Sequence, residues 1–224
     1  MQIVGNLLRS IRVAVDDSGT RKYLNDVQRK KIPKCTAIAL TKTAKALQGM
    51  LEKEVERVFD RPVTFTKRAF AIKPATVGNL QAEVFIKTKQ AAYLSPQIVG
   101  GRRQPKRFEQ RFAADASAPG QYWMPGEGVK LNVHGNLSLA QVRKIAAQLQ
   151  KSRRTVFVGK PNPTLPFGIW ERLPRRKGGT IKPLLVLVKQ PQYRKRLDIH
   201  ALADKHAQRI FNAEFSKAWN QYFS

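Results

Sequence analysis

The stretch that most constrains the fold is residues 55–87, because the spacing of its apolar residues changes from helical to alternating. Ahead of it, apolar residues recur at steps of three and four, which places them on one face of an α-helix. They are Leu40, Ala44, Leu47, Leu51, Val55 and Val58. Pro62 ends this helix, since proline disfavours helical backbone at the residue before it and has no N–H to donate. The sequence therefore predicts a long helix that ends in a proline turn.

A β-hairpin is predicted directly after the turn. Its apolar residues alternate with other residues, and this period of two is typical of strands. They are Phe70 and Ile72 in the first run, and Leu80, Ala82, Val84 and Ile86 in the second. Residues 74–79 between the runs contain Pro, Gly and Asn, which suit a connection longer than a two-residue turn.

Further strands are predicted in the second half of the chain, at 155–159, 169–173 and 184–188. The last of these is apolar on both faces, which is typical of a central strand. The predicted fold class is α+β, with a long N-terminal helix and a C-terminal helix packed on a mixed or antiparallel β-sheet. Basic loops and an N-terminal arm complete this prediction.

Two more helices are predicted from their starting residues. Ser138 and Gln141 have the spacing of a capping box, and the helix that follows ends near Lys151. Asp198 is the predicted N-cap of a terminal helix. The apolar stripe of that helix consists of Ala203, Ala207, Phe211, Phe215, Ala218 and Tyr222.

A chain of 224 residues can bury one good core or two small ones. We predict one domain over 33–224, with a loop insertion at about 100–135. Residues 1–32 are predicted to form a basic arm, in which the apolar residues 3–15 fit a short helix and a strand equally well. Such an arm either becomes ordered against a neighbouring protein or remains a solvated tail.

The charge restricts the partners of this chain. There are 42 Lys plus Arg against 15 Asp plus Glu, a net charge of +27. Nucleic acid, anionic lipid or an acidic protein could balance it, and a charged soluble surface is the alternative. Lipid is the least supported, since the basic residues do not line a strongly apolar helix. No run of about 18 apolar residues is present, so we expect no membrane contact. No secretory signal is present either, so we expect synthesis in a cytoplasm.

The candidate contacts with an anionic partner are clustered Lys and Arg side chains. Residues 100–111 are the densest cationic stretch and contain Glu109 as their single acid. The arm and a turn at 172–179 carry the other clusters. The candidates are Lys30, Lys31, Arg102, Arg103, Lys106, Arg107, Arg111, Arg175, Arg176 and Lys177. These side chains suit nucleic-acid phosphates, which are bound without sequence preference, and protein carboxylates equally well. The alternative is that they lie in solvated loops without a partner.

An apolar trio, Tyr122, Trp123 and Met124, lies within a segment of small and turn-forming residues. We predict that this segment is a loop and that the trio covers the core of its own domain. The alternative is an aromatic anchor that inserts into a neighbouring subunit.

Enzymatic activity is not expected. His134, His200 and His206 are too dispersed for an evident metal site, and Cys35 is the sole cysteine. Asp16 and Asp17 are the only adjacent acids and have no obvious third ligand. No nucleophile elbow, phosphate loop or dinucleotide glycine pattern occurs. We therefore predict no catalytic residues, no metal and no cofactor.

Several short phrases of the sequence are similar to a known family. They are Pro-Val-Thr-Phe-Thr-Lys-Arg-Ala-Phe at 62–70, Tyr-Leu-Ser-Pro-Gln at 93–97 with Gly100-Gly101, Gly135-Asn136, Phe-Val-Gly at 157–159 and Phe-Gly-Ile-Trp-Glu-Arg at 167–172. From about Pro33 onward, the order of these phrases resembles minor tail and tail-completion proteins of tailed bacteriophages, especially lambdoid minor tail protein Z. The resemblance includes no catalytic signature and no motif of functional residues.

The resemblance implies a virion structural protein for tail completion or head–tail joining, located in the tail or at the head–tail junction. It would form a homo-oligomeric ring and contact the portal, adaptor, tail tube or tail terminator proteins, and the DNA in the channel is a further candidate partner. The alternative is a sequence-nonspecific nucleic-acid-binding protein. Against this alternative, the aromatic residues occupy core positions and no basic recognition helix is evident.

Overall fold

The computed structural model describes residues 2–6, 10–14, 26–113, 121–151, 155–174, 176 and 179–223. Its elements are β1 (Gln2–Asn6), β2 (Ser10–Ala14), α1 (Asp26–Val58), α2 (Thr64–Lys67), β3 (Phe70–Lys73), β4 (Gln81–Ile86), α3 (Thr88–Val99), β5 (Gly101–Arg102), α4 (Arg107–Ala113), β6 (Gln121–Pro125), α5 (Leu139–Lys151), β7 (Val156–Gly159), β8 (Gly168–Arg172), β9 (Ile181–Lys189), β10 (Gln192–Tyr193) and α6 (Ile199–Phe223). The α+β class predicted from the sequence, with its long N-terminal helix, C-terminal helix and antiparallel sheets, is confirmed.

The chain divides into two compact units. The first unit is Met1–Gly100 with Arg194–Ser224, and the second unit is Gly101–Tyr193. This division differs from the single domain 33–224 with an insertion at 100–135. The physical reason is that each unit has its own hydrophobic cluster, so the supposed insertion contributes residues of α4 and β6 to a separate core.

The first unit contains an antiparallel sheet in the order β1-β2-β4-β3. The hairpin of β3 and β4 is confirmed, with Phe70 opposite Ile86. The N-terminal arm is not observed as predicted, because β2 pairs with β4 and α1 begins at Asp26. The sequence fitted a helix and a strand equally well at residues 3–15. In the structure, Gln2–Asn6 and Ser10–Ala14 are strands that pair with each other. Arg21 and Lys22 of the arm lie outside the described residues.

Helix α1 packs its predicted apolar face into the first core. Leu40, Leu47, Leu51 and Val55 are fully buried, together with residues of β3, β4 and α6. The helix ends at Val58, ahead of Pro62, as predicted. The predicted stripe of α6 is also confirmed, since Ala203, Ala207, Phe211 and Ala218 are buried and Phe215 and Tyr222 are half-buried.

Three helices were not predicted from the sequence, namely α2, α3 and α4. Thr88–Val99 forms α3, which buries Leu94 and Ile98 in the first core and includes Pro96 in its last turn. Asp198 is confirmed as the cap of α6, because its carboxylate accepts a hydrogen bond from the backbone N–H of Ala201 at 3.1 Å.

The second unit contains an antiparallel sheet in the order β6-β9-β8-β7, in which β9 is an interior strand as predicted. Helix α5 contributes Val142 and Ile145 to a core that also contains Ile169 and Leu185. The apolar trio lies in β6 and not in a loop. Tyr122 and Trp123 are buried within this unit as expected, while Met124 is 55% exposed.

Helix α5 begins with the predicted capping box. The backbone N–H of Gln141 donates to Ser138 Oγ at 3.3 Å, and the backbone N–H of Ser138 donates to Gln141 Oε1 at 3.3 Å. Gln141 Nε2 also donates to the carbonyl of Lys130, which places Lys130 beside the first turn of α5.

Candidate partner-binding surfaces

The predicted cationic stretch at 100–111 is built around a buried ion pair. Arg103 Nη1 and Nη2 donate to the two carboxylate oxygens of Glu109, at 2.6 and 2.5 Å. The Arg103 side chain is 13% exposed and that of Glu109 is 2% exposed. Glu109 lies in α4, and its Oε2 also accepts from the backbone N–H of Lys106. The pair therefore fixes the segment that leads into α4.

Two tyrosines complete the surroundings of Arg103. Its Nε donates to Tyr193 Oη at 3.1 Å, and its guanidinium lies 4.6 Å from the ring centre of Tyr122. Tyr122 Oη donates to the Arg103 carbonyl at 2.7 Å and accepts from Gln190 Nε2 at 2.7 Å.

Hydrogen bonding to Glu109 raises the pKa of the Arg103 guanidinium. Partial desolvation, and then the Arg103 charge, lower the pKa of Lys106.

Arg103 consequently has an intramolecular role in place of the partner contact that the sequence suggested. Its neighbours Arg102 and Lys106 are exposed and remain candidates. Lys31, in α1, donates to the carbonyl of Tyr222 at 3.1 Å and is half-buried. Arg176 is exposed. The remaining candidates have side chains outside the described part of the structure; they are Lys30, Arg107, Arg111, Arg175 and Lys177.

The first unit contains 24 Lys plus Arg and 11 Asp plus Glu in its sequence, and six of its described cations form ion pairs with acids of the same unit. Six of the seven ion pairs that described residues form with one another lie there, and the seventh is Arg103–Glu109. The six pairs are Lys42–Glu214, Arg57–Glu54, Arg61–Asp60, Lys67–Glu56, Lys195–Asp198 and Lys217–Glu214. The second unit contains 18 Lys plus Arg and 4 Asp plus Glu in its sequence, a balance of +14.

Helix α5 presents an exposed face without a carboxylate. This α5 outer face consists of Leu139, Ala140, Arg143, Lys144, Ala147, Gln150 and Lys151, all of them exposed. The 13 residues of α5 include no Asp or Glu. Helix α5 was predicted from the sequence, but its basic face was not, and no basic recognition helix was evident there. The absence of acids between 139 and 151 was the available signal.

Exposed apolar side chains form a second feature of the second unit. Val133 is 76% exposed and Leu131 is 41% exposed, on a turn that is held by Asn132. Asn132 Oδ1 accepts from the backbone N–H groups of His134 and Asn136, at 3.0 and 2.9 Å. An ordered turn therefore holds apolar side chains in solvent, which is typical of a protein contact.

Open grooves occur in both units. Thr64, Phe65, Arg68, Lys87, Thr88, Lys89 and Gln90 border a groove of about 480 Å³ in the first unit. A smaller pocket of about 100 Å³ in the second unit lies between α5 and the sheet, where Lys144 and Glu171 both line it. Among the described residues, no three His, Cys, Asp or Glu side chains are grouped closely enough to hold a metal ion. Within the same residues, no helix has the length and apolarity needed to cross a membrane.

No family model, no curated protein and no solved structure matches this chain.

Proposed function

We propose that the chain is a virion structural protein that completes phage tails or joins tail to head as a subunit of a ring. It acts by binding and breaks no covalent bond. The observation that carries the proposal is the scarcity of acids in the second unit, which has 18 cations against 4 acids, and one of those acids is used by Arg103. A surface with this imbalance needs an anionic neighbour to offset self-repulsion.

The resemblance of the short sequence phrases to tail-completion proteins supplies the biological setting. The exposed Val133 and Leu131 are consistent with a subunit role, since apolar side chains on an ordered turn could be buried against a neighbouring subunit. In a cyclic ring each contact is repeated around the axis, so individually weak ionic contacts act together.

The expected partners are the portal, adaptor, tail tube or tail terminator proteins, and the expected location is the virion. Arg102 and Lys106 are the exposed residues of the 100–111 stretch that we assign to such contacts. Sequence-nonspecific nucleic-acid binding is the second candidate function. It draws support from the α5 outer face, where Arg143, Lys144 and Lys151 have no carboxylate on their own helix.

The direct test is electron microscopy of lysates from a phage whose copy of this gene carries a nonsense mutation. We expect filled heads beside detached or abnormal tails. Normal, infectious particles would overturn the tail-completion proposal. Normal particles with poor DNA content or delivery would favour the nucleic-acid function.

A second test reverses the charge of Arg102 and Lys106 together, to Glu, and spares Arg103 because that residue holds the fold. We expect the variant to fold and to lose assembly. The matched control reverses Lys205 and Arg209, which are exposed on α6 in the first unit, and should assemble. Equal particle yields from the two variants would remove the assigned role of Arg102 and Lys106.

A further inference from the structure

We propose that the α5 outer face binds the phosphate backbone of duplex DNA without sequence preference. The inference deepens the proposed function by naming the partner of one surface, and it rests on that function only for its setting in the particle. Three cations carry it, namely Arg143, Lys144 and Lys151.

The helical spacing gathers these cations on one side of α5. Each residue advances by about 100° around the axis, so the three side chains leave the helix within about 100° of one another. The opposite side is committed to the core, where Val142, Ile145 and Ala146 are buried. Packing therefore fixes the direction in which the cations project.

Small residues lie between the cations. Ala140 and Ala147 occupy the middle of the α5 outer face, and both are exposed. A methyl group there lets the helix backbone approach a sugar–phosphate chain closely. Arg143 and Lys151 are separated by about 12 Å along the axis, at about 1.5 Å per residue. This separation is close to the major-groove width of about 12 Å, so the two residues suit phosphates on opposite sides of that groove.

The charge around α5 also distinguishes it from the two long helices. On α1, Lys53 lies between Glu52 and Glu54, and on α6, Lys205 follows Asp204. No carboxylate of the described residues forms an ion pair with Arg143, Lys144 or Lys151. Glu171 shares the small pocket with Lys144, and it is opposite Lys182 in the sheet.

DNA fits this face better than an acidic protein does. Protein interfaces are dominated by buried aromatic and other apolar anchors, and the single large apolar residue of the α5 outer face is Leu139, at its first position. Phosphate binding needs only cations and close approach, and each neutralised phosphate releases counterions. Lys130, exposed beside the first turn of α5, extends the same cationic surface.

The test measures binding of the full chain to a fluorescent duplex of random sequence by anisotropy, over a series of salt concentrations. The variant Arg143→Ala/Lys144→Ala/Lys151→Ala is compared with Lys53→Ala/Lys205→Ala/Arg209→Ala, which removes three exposed cations from the first unit. Both variants therefore carry the same net charge. Circular dichroism and thermal unfolding establish that each is folded.

We expect the α5 variant to lower the slope of log K against log salt by about 2–3, since each phosphate contact contributes about 0.9. Its affinity at moderate salt should fall by about tenfold or more, while the control changes little. Equal losses in the two variants would overturn the inference, because binding would then be spread over the whole basic surface. Unchanged DNA binding with lost particle assembly would also overturn it in favour of an acidic protein partner, and would leave the proposed tail function intact.

Discussion

The two units handle a similar excess of positive charge in different ways. The first unit places acids beside its cations on α1 and α6, where Lys42 and Lys217 both pair with Glu214. The second unit uses Arg103–Glu109, the one ion pair between its described residues, in its interior and leaves the cations of α5 without acids on the same helix. Net charge alone would treat the units as equivalent. Placement of the acids is the basis for our proposal that the second unit carries the surface for an anionic partner.

The units also differ in what holds them together. The first core joins α1, α6 and a sheet through residues such as Leu40, Leu47 and Leu51. The second core is smaller and packs α4 and α5 against a sheet, with the Arg103–Glu109 ion pair fixing the segment before α4. We therefore expect polar substitutions to affect the second unit most and apolar truncations to affect the first.

The largest expected effect is that of Glu109→Gln. The substitution removes the negative charge and leaves the Arg103 guanidinium buried without its counterion, which should cost about 3–5 kcal/mol in the free energy of unfolding of the second unit. Hydrogen exchange measured by mass spectrometry should show lost protection in β6, β9 and α4. Glu127→Gln, an exposed acid of the same unit, is the control and should leave exchange unchanged.

Equal loss of protection in α1 and α6 would contradict the division into two units, since the damage would then spread through one cooperative structure. Unchanged protection throughout the chain would contradict the structural role assigned to Arg103.

The next effect is that of Leu47→Ala in the first unit. Leu47 is fully buried, so the cavity and the lost apolar contacts should cost about 2–5 kcal/mol. Exchange should increase in α1, α6 and β4 while β8 and β9 retain their protection. Leu139→Ala, at a position 72% exposed, removes the same atoms from solvent and should be close to neutral. A comparable loss in the free energy of unfolding for both substitutions would show that burial does not determine how much each leucine contributes to stability.

The smallest effect is the pH-dependent cap of α6. The hydrogen bond from Lys195, and then that from the backbone of Ala201, lower the pKa of Asp198 below its usual 3.8. The ionised carboxylate therefore stabilises the fold above that value, and the contribution is lost as pH falls through the lowered pKa. Asp198→Ala should cost about 1 kcal/mol near pH 7.

The cost of Asp198→Ala should shrink as the solution is acidified to about pH 3 or below. Urea unfolding of both proteins at neutral and acidic pH measures this difference. Asp204→Ala, an exposed acid later in α6, is the control. A pH-independent cost would mean that the carboxylate charge does not support the helix.

Local patterns predicted half of the described elements. The apolar stripe of α1, the alternation in β3 and β4, and the Ser138–Gln141 capping box depend on neighbours within a few residues. Helix α3 was missed because it contains Pro96, and proline beyond the first turn is unfavourable in a helix, since it lacks an N–H donor and its ring crowds the preceding turn. The strands at the N-terminus were ambiguous until β4 supplied a partner for β2.

Features that depend on distant segments were not predictable from spacing. The second unit closes where β5 pairs with β10, with Gly101 opposite Tyr193. Arg103 appeared free because one acid lies among several cations in its stretch, and only burial selects Glu109 as its partner. By contrast, the α5 outer face could have been recognised, since a helical period and the absence of acids are both local properties.

The most direct test of the account is complementation of the nonsense-mutant phage with two charge-reversed proteins. One carries Arg143→Glu, Lys144→Glu and Lys151→Glu in the second unit, and the other carries Lys53→Glu, Lys205→Glu and Arg209→Glu in the first. Both have the same net charge, and infectious particles are counted. The account predicts that the first-unit variant restores infectivity and the second-unit variant does not. Equal restoration by the two proteins would contradict the claim that the second unit presents the working anionic-partner surface.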